Sequence, residues 1–497
     1  MSRRCHLIPL TALRLLWLML VASPMGPAPA QSWTETTWED FADGQFDAAG
    51  QNLYASHDGS LRSIHRFDLN QDGQLDLIFN NTHDTTAFLD ATLAHFAADR
   101  TLATSPLAVR GSLRGTAADL NQDGHADLVF LPNRSGVQAP RRFLTVIWGG
   151  ADGWPAHRSN EALPVYEPAD MAVADLNADQ WPDLVVLSHR PSYTGLSPAR
   201  EMVVRIFWGG EQGYSLLRYK DVAVPLATAL TSGDFDQDDV ADVALLTQEG
   251  HLLVGWGRDG DNELSISPQP LFESPIAGAQ CLESHELDTE GAAALIVGTD
   301  RKAIVATRCD SERTWRPWQT LAPLSATGLT IGDLDGDHQP DLVATHLTTT
   351  EAMGGERGAA AGAGTVRVLW GSPEGYDAQR MLELPVPFAH AAAIGDVDGD
   401  SHADLAVAVY QGESTFAAAS QIFFGNGHRA LTPSPSGVAT SGATDVMIVP
   451  VRGRTAANVV FCNSQGGTLD ERVPLQIYWG GERGFDPAQM DEIPFTS

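Results

Sequence analysis

Basic residues and cysteines are both scarce in this chain of 497 residues. It contains 31 Lys and Arg against 63 Asp and Glu, which gives a formal net charge of −32. A surface that binds nucleic acid needs clustered Lys and Arg, so this composition argues against nucleic acid as a partner. The four cysteines show no C-x-x-C spacing, which argues against zinc and redox motifs. Cys281 and Cys309 could form a disulfide in an oxidising compartment or remain free thiols.

Long apolar segments are missing outside the N-terminus. In residues 1–30, Arg3 and Arg4 precede an apolar run from Leu15 to Ala22, and Ala28 to Ala30 fit the small-x-small pattern of a signal peptidase site. The run is shorter than the about 20 apolar residues that a membrane-spanning helix needs. We therefore predict a secretory signal peptide over residues 1–30, no membrane span, and a secreted protein that is extracellular or periplasmic.

An acidic motif of nine residues is repeated along the chain. Each copy has Asp or Asn at its first, third, fifth and ninth positions and is followed by an apolar, strand-like run. Six intact copies begin at Asp68, Asp119, Asp175, Asp234, Asp333 and Asp396. A decayed copy runs from Glu286 to Ala294, and the equivalent loop of a last unit, Val449 to Asn458, has lost its carboxylates.

A Trp-Gly signature recurs in phase with the acidic motif. It stands at Trp148, Trp208, Trp370 and Trp479, with weaker versions at Trp256 and Phe424. Each unit therefore reads as strand, acidic loop, strand, variable loop, strand, Trp-Gly turn and strand, and no segment has a sustained helical period. Four short strands in each repeat predict the blade of a β-propeller.

The repeats predict an all-β chain with a lead segment over residues 31–59 and a β-propeller of four-stranded blades over residues 60–497. The count favours eight blades, with seven as the alternative if one degenerate unit is not a full blade. The pattern predicts that the last unit lacks a strand, whereas the segment Ser60 to Phe67 precedes the first acidic loop as an extra strand. We expect this N-terminal strand to complete the last blade and close the ring, which would remove two exposed sheet edges.

The acidic loops have the ligand pattern of a calcium site. Ca²⁺ accepts six to eight oxygen ligands, and a loop with side-chain oxygens at positions one, three, five and nine and a backbone carbonyl at position seven supplies them. An EF-hand is excluded because position twelve is apolar in all six loops. We predict about six Ca²⁺ sites, whose ligands are Asp68, Asn70, Asp72, Gln74 and Asp76; Asp119, Asn121, Asp123, His125 and Asp127; Asp175, Asn177, Asp179, Trp181 and Asp183; Asp234, Asp236, Asp238, Val240 and Asp242; Asp333, Asp335, Asp337, Gln339 and Asp341; and Asp396, Asp398, Asp400, His402 and Asp404.

These repeats resemble the FG-GAP/VCBS family, whose calcium-loop repeats build the integrin α-subunit propeller and many bacterial secreted proteins. The resemblance covers about residues 60 to 497 and is carried by the six intact acidic loops. It implies that the first loop, from Asp68 to Asp76, and its counterparts bind calcium within the blades on one face. The loops at Glu286 to Ala294 and Val449 to Asn458 depart from the family pattern. The resemblance identifies a fold and does not identify a ligand.

The variable loops gather the insertions and several of the rare cations. Insertions fall between the second and third strands, at Pro132 to Arg142, His189 to Arg200, Thr348 to Gly364 and Gln411 to Ala419. Insertions confined to one face of a repeat protein often mark its binding face. The predicted partner-binding residues are Arg134, Arg141, Arg142, Arg190, Tyr193 and Arg200. The alternative is that these loops are solvated and bind nothing.

The chain has no G-x-S-x-G, H-E-x-x-H, phosphate-binding or dinucleotide-binding motif. The sequence therefore favours a calcium-stabilised binding or adhesion module for a protein or glycan partner over an enzyme. The alternative function is a polysaccharide-active enzyme, similar to a lyase, that works from a face of the propeller.

Overall fold

The strands of this protein were located in a computed structural model. It describes residues 52–56, 61–64, 75–80, 90–97, 99–132, 142–150, 153–154, 161–189, 201–260, 262–267, 269–286, 293–299, 304–317, 319–322, 328–345, 365–372, 376–412, 415–449, 456–463, 473–481 and 484–493. All of them belong to one compact unit, Trp33–Ser497. The predicted signal peptide, residues 1–30, lies outside the described residues.

Each sequence repeat folds into one sheet, which we call a blade. Blade 1 consists of β1 (Asn52–Ser56), β2 (Leu61–Ile64), β3 (Asp76–Asn80), β4 (Asp90–Phe96) and β5 (Leu102–Arg110). Blade 2 consists of β6 (Ser112–Ala118), β7 (Asp127–Pro132), β8 (Arg142–Ile147) and β9 (Glu161–Val165). Blade 3 consists of β10 (Glu167–Ala174), β11 (Asp183–His189), β12 (Glu201–Phe207) and β13 (Tyr219–Pro225). Blade 4 consists of β14 (Ala227–Gly233), β15 (Asp242–Thr247), β16 (Leu252–Trp256) and β17 (Ser265–Ile266).

The other four blades follow in chain order. Blade 5 consists of β18 (Ala279–Glu286), β19 (Ala293–Thr299), β20 (Ile304–Arg308) and β21 (Gln319–Ala322). Blade 6 consists of β22 (Gly328–Gly332), β23 (Asp341–Thr345), β24 (Val366–Leu369) and β25 (Met381–Leu384). Blade 7 consists of β26 (Ala389–Gly395), β27 (Asp404–Val409), β28 (Ala417–Phe424) and β29 (Thr432–Pro433), and β30 (Val438–Ser441) also pairs with β28. Blade 8 consists of β31 (Ala443–Val449), β32 (Asn458–Asn463), β33 (Leu475–Gly481) and β34 (Gly484–Ile493).

The prediction of an all-β propeller with eight blades is confirmed. The described residues contain a single helical turn, a 3-10 turn at Ala378–Arg380, beside the strands. No helix within the described residues is long and apolar enough to cross a membrane. The two decayed units, blade 5 and blade 8, are full four-stranded blades, so the seven-bladed alternative is wrong.

The second strand of a blade is buried on both sides. In β15 and β27 every residue is buried, because adjacent blades cover both faces of the sheet. Strands in that position read as continuous apolar runs rather than as an alternating pattern. The core between blades 3 and 4 illustrates the packing, since Leu187, Trp208 and Leu245 belong to one buried cluster.

The ring closes differently from the prediction. Blade 8 already has four strands of its own, because Gly484–Ile493 pairs with β33 from Leu475↔Ile493 to Gly481↔Gly484. This segment contains a proline and three acids and was not recognisable as a strand. The N-terminal strand β2, inside the predicted Ser60–Phe67 strand, pairs instead with β1 in blade 1, and β1 pairs in parallel with β3. The prediction that β2 completes the last blade is therefore wrong.

Side chains close the ring between the first and last blades. One buried cluster combines Leu77 and Phe96 of blade 1 with Val460, Trp479 and Ile493 of blade 8. The rings of Phe96 and Trp479 meet edge to face with their centroids 5.2 Å apart. The seam between the chain's first and last repeats is thus an apolar interface like the other blade interfaces.

The strand order gives the propeller two ends that carry different loops. In blades 2 to 8 consecutive strands are antiparallel neighbours, so the acidic loop and the Trp-Gly turn of a blade lie at the same end. We call this the acidic end, and the opposite end, with the variable loops and the connections between blades, the variable end. The thiol of Cys309 is buried and is not part of a disulfide, so Cys309 does not form the disulfide with Cys281 that the sequence left open.

Candidate metal centre

Five of the six predicted acidic loops lie within the described residues, at 119–127, 175–183, 234–242, 333–341 and 396–404. Of the first loop only Asp76 is described, and Asp68, Asn70, Asp72 and Gln74 lie outside the described residues. The side chain of Asp76 contacts His95, with Oδ1 and Nδ1 2.8 Å apart.

The ninth-position aspartate joins the acidic loop to the Trp-Gly turn. Asp127 accepts a hydrogen bond from the Leu120 N–H on Oδ2 at 3.0 Å and one from the Gly149 N–H on Oδ1 at 2.7 Å. The same two bonds, all between 2.7 and 3.0 Å, recur in four more loops, at Asp183, Asp242, Asp341 and Asp404. All five side chains are buried, with 0 % exposure. The two sequence signatures are therefore halves of one structural unit.

Glycine is required in the Trp-Gly turn because the backbone of the acidic loop lies close to its Cα atom. A Cβ atom on Gly149 would lie 2.0 Å from the carbonyl oxygen of Ala126, and one on Gly425 would lie 2.0 Å from that of Ala403. Contacts this short do not occur for real side chains, so only glycine fits against the eighth residue of the acidic loop. The tryptophan before the glycine packs in the core: Trp208, Trp370 and Trp479 are at most 5 % exposed. These three tryptophans are therefore packing residues of the core.

The first-position aspartate shapes the loop. Asp333 accepts hydrogen bonds from the N–H groups of Gly336 and Asp337 on Oδ1 and from that of His338 on Oδ2, at 2.7, 3.1 and 2.8 Å. Such side-chain to backbone bonds stabilise a turn locally. The fifth-position carboxylate likewise accepts from the seventh N–H, as Asp123 does from His125 at 2.9 Å. The seventh residue therefore contributes its backbone N–H to the loop, and the role of its carbonyl as a metal ligand stays a prediction.

The backbone of each loop passes twice through the left-handed region. The sixth residue does so even where it is not glycine, with φ of 72° at Gln180 and 70° at Ser401. The fourth residue does so too, with φ of 58° at Gln122 and 55° at Ala178. This second strained position was not predicted. A positive φ costs energy in residues with a side chain, so bonds to the carboxylates must maintain it.

Carboxylates converge in three of the loops. Asp234, Asp236 and Asp242 offer oxygens that all lie within 4.8 Å of one another, and the equivalent sets are Asp333, Asp335 and Asp341, and Asp396, Asp398 and Asp404. These are the first, third and ninth positions of the motif. The fifth-position residues Asp238 and Asp337 lie further out, with about 39 % and 37 % of their side chains exposed.

Burial and mutual repulsion disfavour the charged form of these acids. Burial, together with the charges of Asp236 and Asp238, raises the pKa of Asp242 to about 8 against the lowering effect of two backbone N–H donors. The pKa of Asp341 and of Asp404 is raised to about 7 for the same reasons. In the loop at 234–242, Oδ1 of Asp236 is buried and has no hydrogen-bond partner. A hard divalent cation would satisfy that oxygen and the clustered charge, so these residues fit a metal of the Ca²⁺ type.

In the two described loops with asparagine at the third position, polar side chains make hydrogen bonds within the loop and to the next blade. Asn177 donates from Nδ2 to Oδ2 of Asp179 at 3.1 Å and to Oδ1 of Asn262, in the next blade, at 2.6 Å. Gln122 reaches from blade 2 to the carbonyl of Gln180 in blade 3 at 2.6 Å. These hydrogen bonds connect blade 2 to blade 3 and blade 3 to blade 4 at the acidic end.

Two arginines that the sequence analysis missed reach acidic loops from the following blade. Arg429, between β28 and β29, donates to Oδ2 of Asp335 at 2.7 Å and to Oδ2 of Asp337 at 2.9 Å. Arg313, between β20 and β21, donates to Oδ2 of both Asp236 and Asp238. Both lie more than 70 residues along the chain from their partners, so no local pattern indicated these contacts.

The predicted partner-binding residues cannot be compared with a site. Arg134, Arg141, Arg190, Tyr193 and Arg200 lie outside the described residues, and of Arg142 only the backbone, at the start of β8, is described. The variable end does contain a cavity of about 580 Å³ in blade 4. Its lining residues are Pro225, Leu226, Thr247, Gln248, Glu249, His251, Leu253 and Pro270.

Models of repeat families match three stretches of the chain. The FG-GAP-like repeat matches residues 68–130 and 119–186, and the FG-GAP repeat matches residues 388–422. Each stretch contains at least one of the acidic loops described above. No curated protein sequence matches this chain significantly.

Solved structures resemble this chain only distantly. The BP39L lectin from Burkholderia pseudomallei is 15% identical, with a TM-score of 0.42 over 76% of this chain and 98% of the lectin. BBS1N, solved in complex with ARL6DN, is 14% identical, with a TM-score of 0.37 over 73% of this chain and 90% of BBS1N. Similarity at this level carries no information about function. The chain therefore contains FG-GAP-type repeats, and they are built into an eight-bladed β-propeller.

Proposed function

We propose that this protein is a secreted, calcium-stabilised binding module that holds a protein or glycan partner at its variable end. The proposal is based mainly on the difference between the two ends of the propeller. At the acidic end, buried aspartates such as Asp127 connect each acidic loop to its Trp-Gly turn, and the same geometry recurs in five blades. The variable end carries the insertions, which differ from blade to blade.

Calcium is supported by the chemistry of the three acidic triads. Each offers three carboxylates that converge within 4.8 Å, and oxygen is the ligand that Ca²⁺ prefers. The orphaned, buried Oδ1 of Asp236 needs a partner that the protein does not supply. A bound ion would stabilise the folded state by mass action, since the unfolded chain cannot assemble the triads.

Isothermal titration with CaCl₂ after EDTA treatment tests the calcium part. We expect uptake of several ions, and loss of about one ion in Asp398→Asn, which removes one charge from a triad. The matched control is Asp486→Asn, in the exposed strand β34, where the side chain accepts a hydrogen bond from the Ala488 N–H. No heat of binding in the wild type, or equal loss in both variants, would refute the calcium sites.

Partner binding at the variable end is supported by the cavity in blade 4 and by the cationic insertions. His251 lies in that cavity, and its Nδ1 is buried without a hydrogen-bond partner, so a ligand group could supply one. The arginines predicted at Arg141, Arg142, Arg190 and Arg200 would attract an acidic glycan or an acidic protein surface.

A glycan array and pull-down compare the wild type with a variant in which those four arginines are serine and with the single variant His251→Ala. We expect at least one of the two variants to lose partner binding. Its calcium content should be unchanged, because the acidic loops lie at the opposite end. The control variant Arg367→Ser changes a cation of β24 that pairs with Glu383. Unaltered binding in both test variants would place the partner elsewhere, and turnover of a polysaccharide by the wild type would replace the binding function by an enzymatic one.

A further inference from the structure

Arg313 and Arg429 hold equivalent places in the ring. Each lies in the turn between the third and fourth strands of its blade and reaches back to the acidic loop of the preceding blade. Each also touches the Trp-Gly turn of that preceding blade. Arg429 donates to the carbonyl of Gly371 at 3.0 Å, and the guanidinium of Arg313 lies 4.8 Å from the ring centroid of Trp256.

The arginines take the carboxylate oxygens that the backbone leaves available. In the loop at 333–341, Oδ1 of Asp335 accepts from the Asp337 N–H at 3.1 Å, and Oδ1 of Asp337 accepts from the Gln339 N–H at 2.9 Å. The remaining Oδ2 atoms of both residues accept from Arg429. A metal ion and the guanidinium would therefore draw on the same two side chains.

The loop at 234–242 repeats the arrangement independently. Oδ1 of Asp238 accepts from the Val240 N–H at 3.1 Å, and the Oδ2 atoms of Asp236 and Asp238 accept from Arg313. In the loop at 396–404, by contrast, no arginine or lysine among the described residues contacts Asp398 or Asp400. Within the described part of the chain, the acidic loops thus differ in the arginine contacts that they receive.

We propose that Arg313 and Arg429 are tethered cations that compete with the divalent ion for the loops at 234–242 and 333–341. The inference rests on the proposed calcium function and adds a specificity role for two residues outside the repeat motif. A guanidinium bridging two carboxylates neutralises part of the loop's charge and holds the loop to the next blade when no ion is bound. The same charge repels an incoming cation, so these two loops bind calcium more weakly than their acidic sequences suggest.

Their exposure suits such a role. About 35 % of the Arg313 side chain and 36 % of the Arg429 side chain is exposed, whereas Asp236 and Asp335 are only 2 % and 4 % exposed at the side chain. The guanidinium can move into solvent when an ion arrives, and the buried carboxylates stay in place. Arginine suits this bridging because its planar fork reaches two carboxylates at once, whereas lysine carries a single point charge.

The test uses the full chain and compares wild type, Arg429→Gln and Arg429→Lys by calcium titration and by thermal unfolding in EDTA and in excess Ca²⁺. We expect Arg429→Gln to have a lower melting temperature than the wild type in EDTA, and we expect excess Ca²⁺ to restore most of the difference. One calcium site should bind about tenfold or more tightly in this variant. Arg429→Lys should fold, and its melting temperature in EDTA and its calcium affinity should lie between those of the wild type and Arg429→Gln, since it keeps the charge and loses the bridge.

Arg367→Gln is the matched control, because its Nε donates to Glu383 at 2.8 Å in the same blade and its side chain is 28 % exposed. It should shift the melting temperature equally with and without calcium. If the wild type takes up calcium and Arg429→Gln leaves every affinity unchanged, the tethered-cation role is overturned and the calcium function stands. If the wild type takes up none, both fail together. The double variant Arg313→Gln/Arg429→Gln should tighten two sites, and a change at one only would overturn the role of Arg313.

Discussion

The backbone N–H of Gly149 donates to the buried Oδ1 of Asp127 at 2.7 Å, across 22 residues of sequence. This bond connects the two signatures that the repeats show in sequence, the acidic loop and the Trp-Gly turn. It recurs at each described intact loop, which explains why the two signatures stay in phase.

Replacing the turn glycine should be costly in every blade. In Gly149→Ala the new Cβ would meet the Ala126 carbonyl oxygen at 2.0 Å, so the turn must move and the bond to Asp127 lengthens. We expect a loss of about 2 kcal/mol or more in the free energy of unfolding, measured by denaturant titration. Gly412→Ala is the control, since its Cβ would lie at an ordinary 3.5 Å from its nearest neighbour; a similar loss there would show that close approach is not the cause.

Removing the buried acceptor should cost more than removing its charge. Asp127→Ala leaves the N–H groups of Leu120 and Gly149 without their partner, at about 1–3 kcal/mol for each. Asp127→Asn keeps an acceptor, as blade 8 does naturally, where Oδ1 of Asn458 accepts from the Gly480 N–H at 3.0 Å. Thermal unfolding in EDTA should therefore rank wild type and Asp127→Asn above Asp127→Ala. Equal melting temperatures for the two variants would contradict the acceptor role.

The metal-free protein should lose stability as the pH rises. Burial raises the pKa of Asp127, Asp341 and Asp404 to about 7 and that of Asp242 to about 8, above their ordinary value of 3.8. A folded state that holds protons more tightly than the unfolded chain is favoured at low pH, and this advantage disappears as the pH rises to about 7 to 8.

Melting temperatures in EDTA between about pH 5.5 and pH 8.5 check this direction. We expect a decline that excess Ca²⁺ removes, because an ion stabilises the charged carboxylates. Asp242→Asn should flatten the curve in EDTA. A melting temperature that rises with pH in EDTA would show that these acids are ionised in the metal-free fold.

Cys309 should be unreactive in the folded protein. Its Sγ lies 3.3 Å from the Asp310 carbonyl oxygen, and burial raises its pKa to about 12, with nearby acids adding to the effect. Thiolate is the reactive form, so iodoacetamide should modify Cys309 only after unfolding. Peptide mapping by mass spectrometry under non-reducing conditions measures this. Labelling of the native protein, or a disulfide to Cys281, would contradict the described environment.

The sequence was informative wherever the physics is local. The nine-residue spacing predicted the loops, since the alternating acids at Asp333, Asp335 and Asp337 each bond to backbone a few residues away. The Trp-Gly turns predicted the strands that they join. The register of the decayed blade 5 also followed, because His285 pairs with Ala294 where Ala118 pairs with Asp127 in blade 2.

What the sequence did not reveal depends on residues far apart in the chain. The Arg429 contact with Asp335 crosses 94 residues, and its position follows only from the ring of blades. The fourth strand of blade 8 was missed because Gly484–Ile493 lacks an apolar alternation and is held by pairing with β33. The left-handed backbone at Ala178 was missed because alanine is an unfavourable residue there, and the loop's own hydrogen bonds impose it.

The seam between blades 1 and 8 has a mechanical consequence. No described strand of one blade pairs with a strand of the other, so the ring is shut there by side chains such as Phe96 and Trp479. Tension applied along the polypeptide would meet side-chain contacts across this junction, such as these two rings and the hydrogen bond that Arg100 donates to Oε1 of Gln489 at 3.3 Å. A ring under tension would therefore separate first at this seam, and the blades beside it would bear the load before those in the middle of the chain.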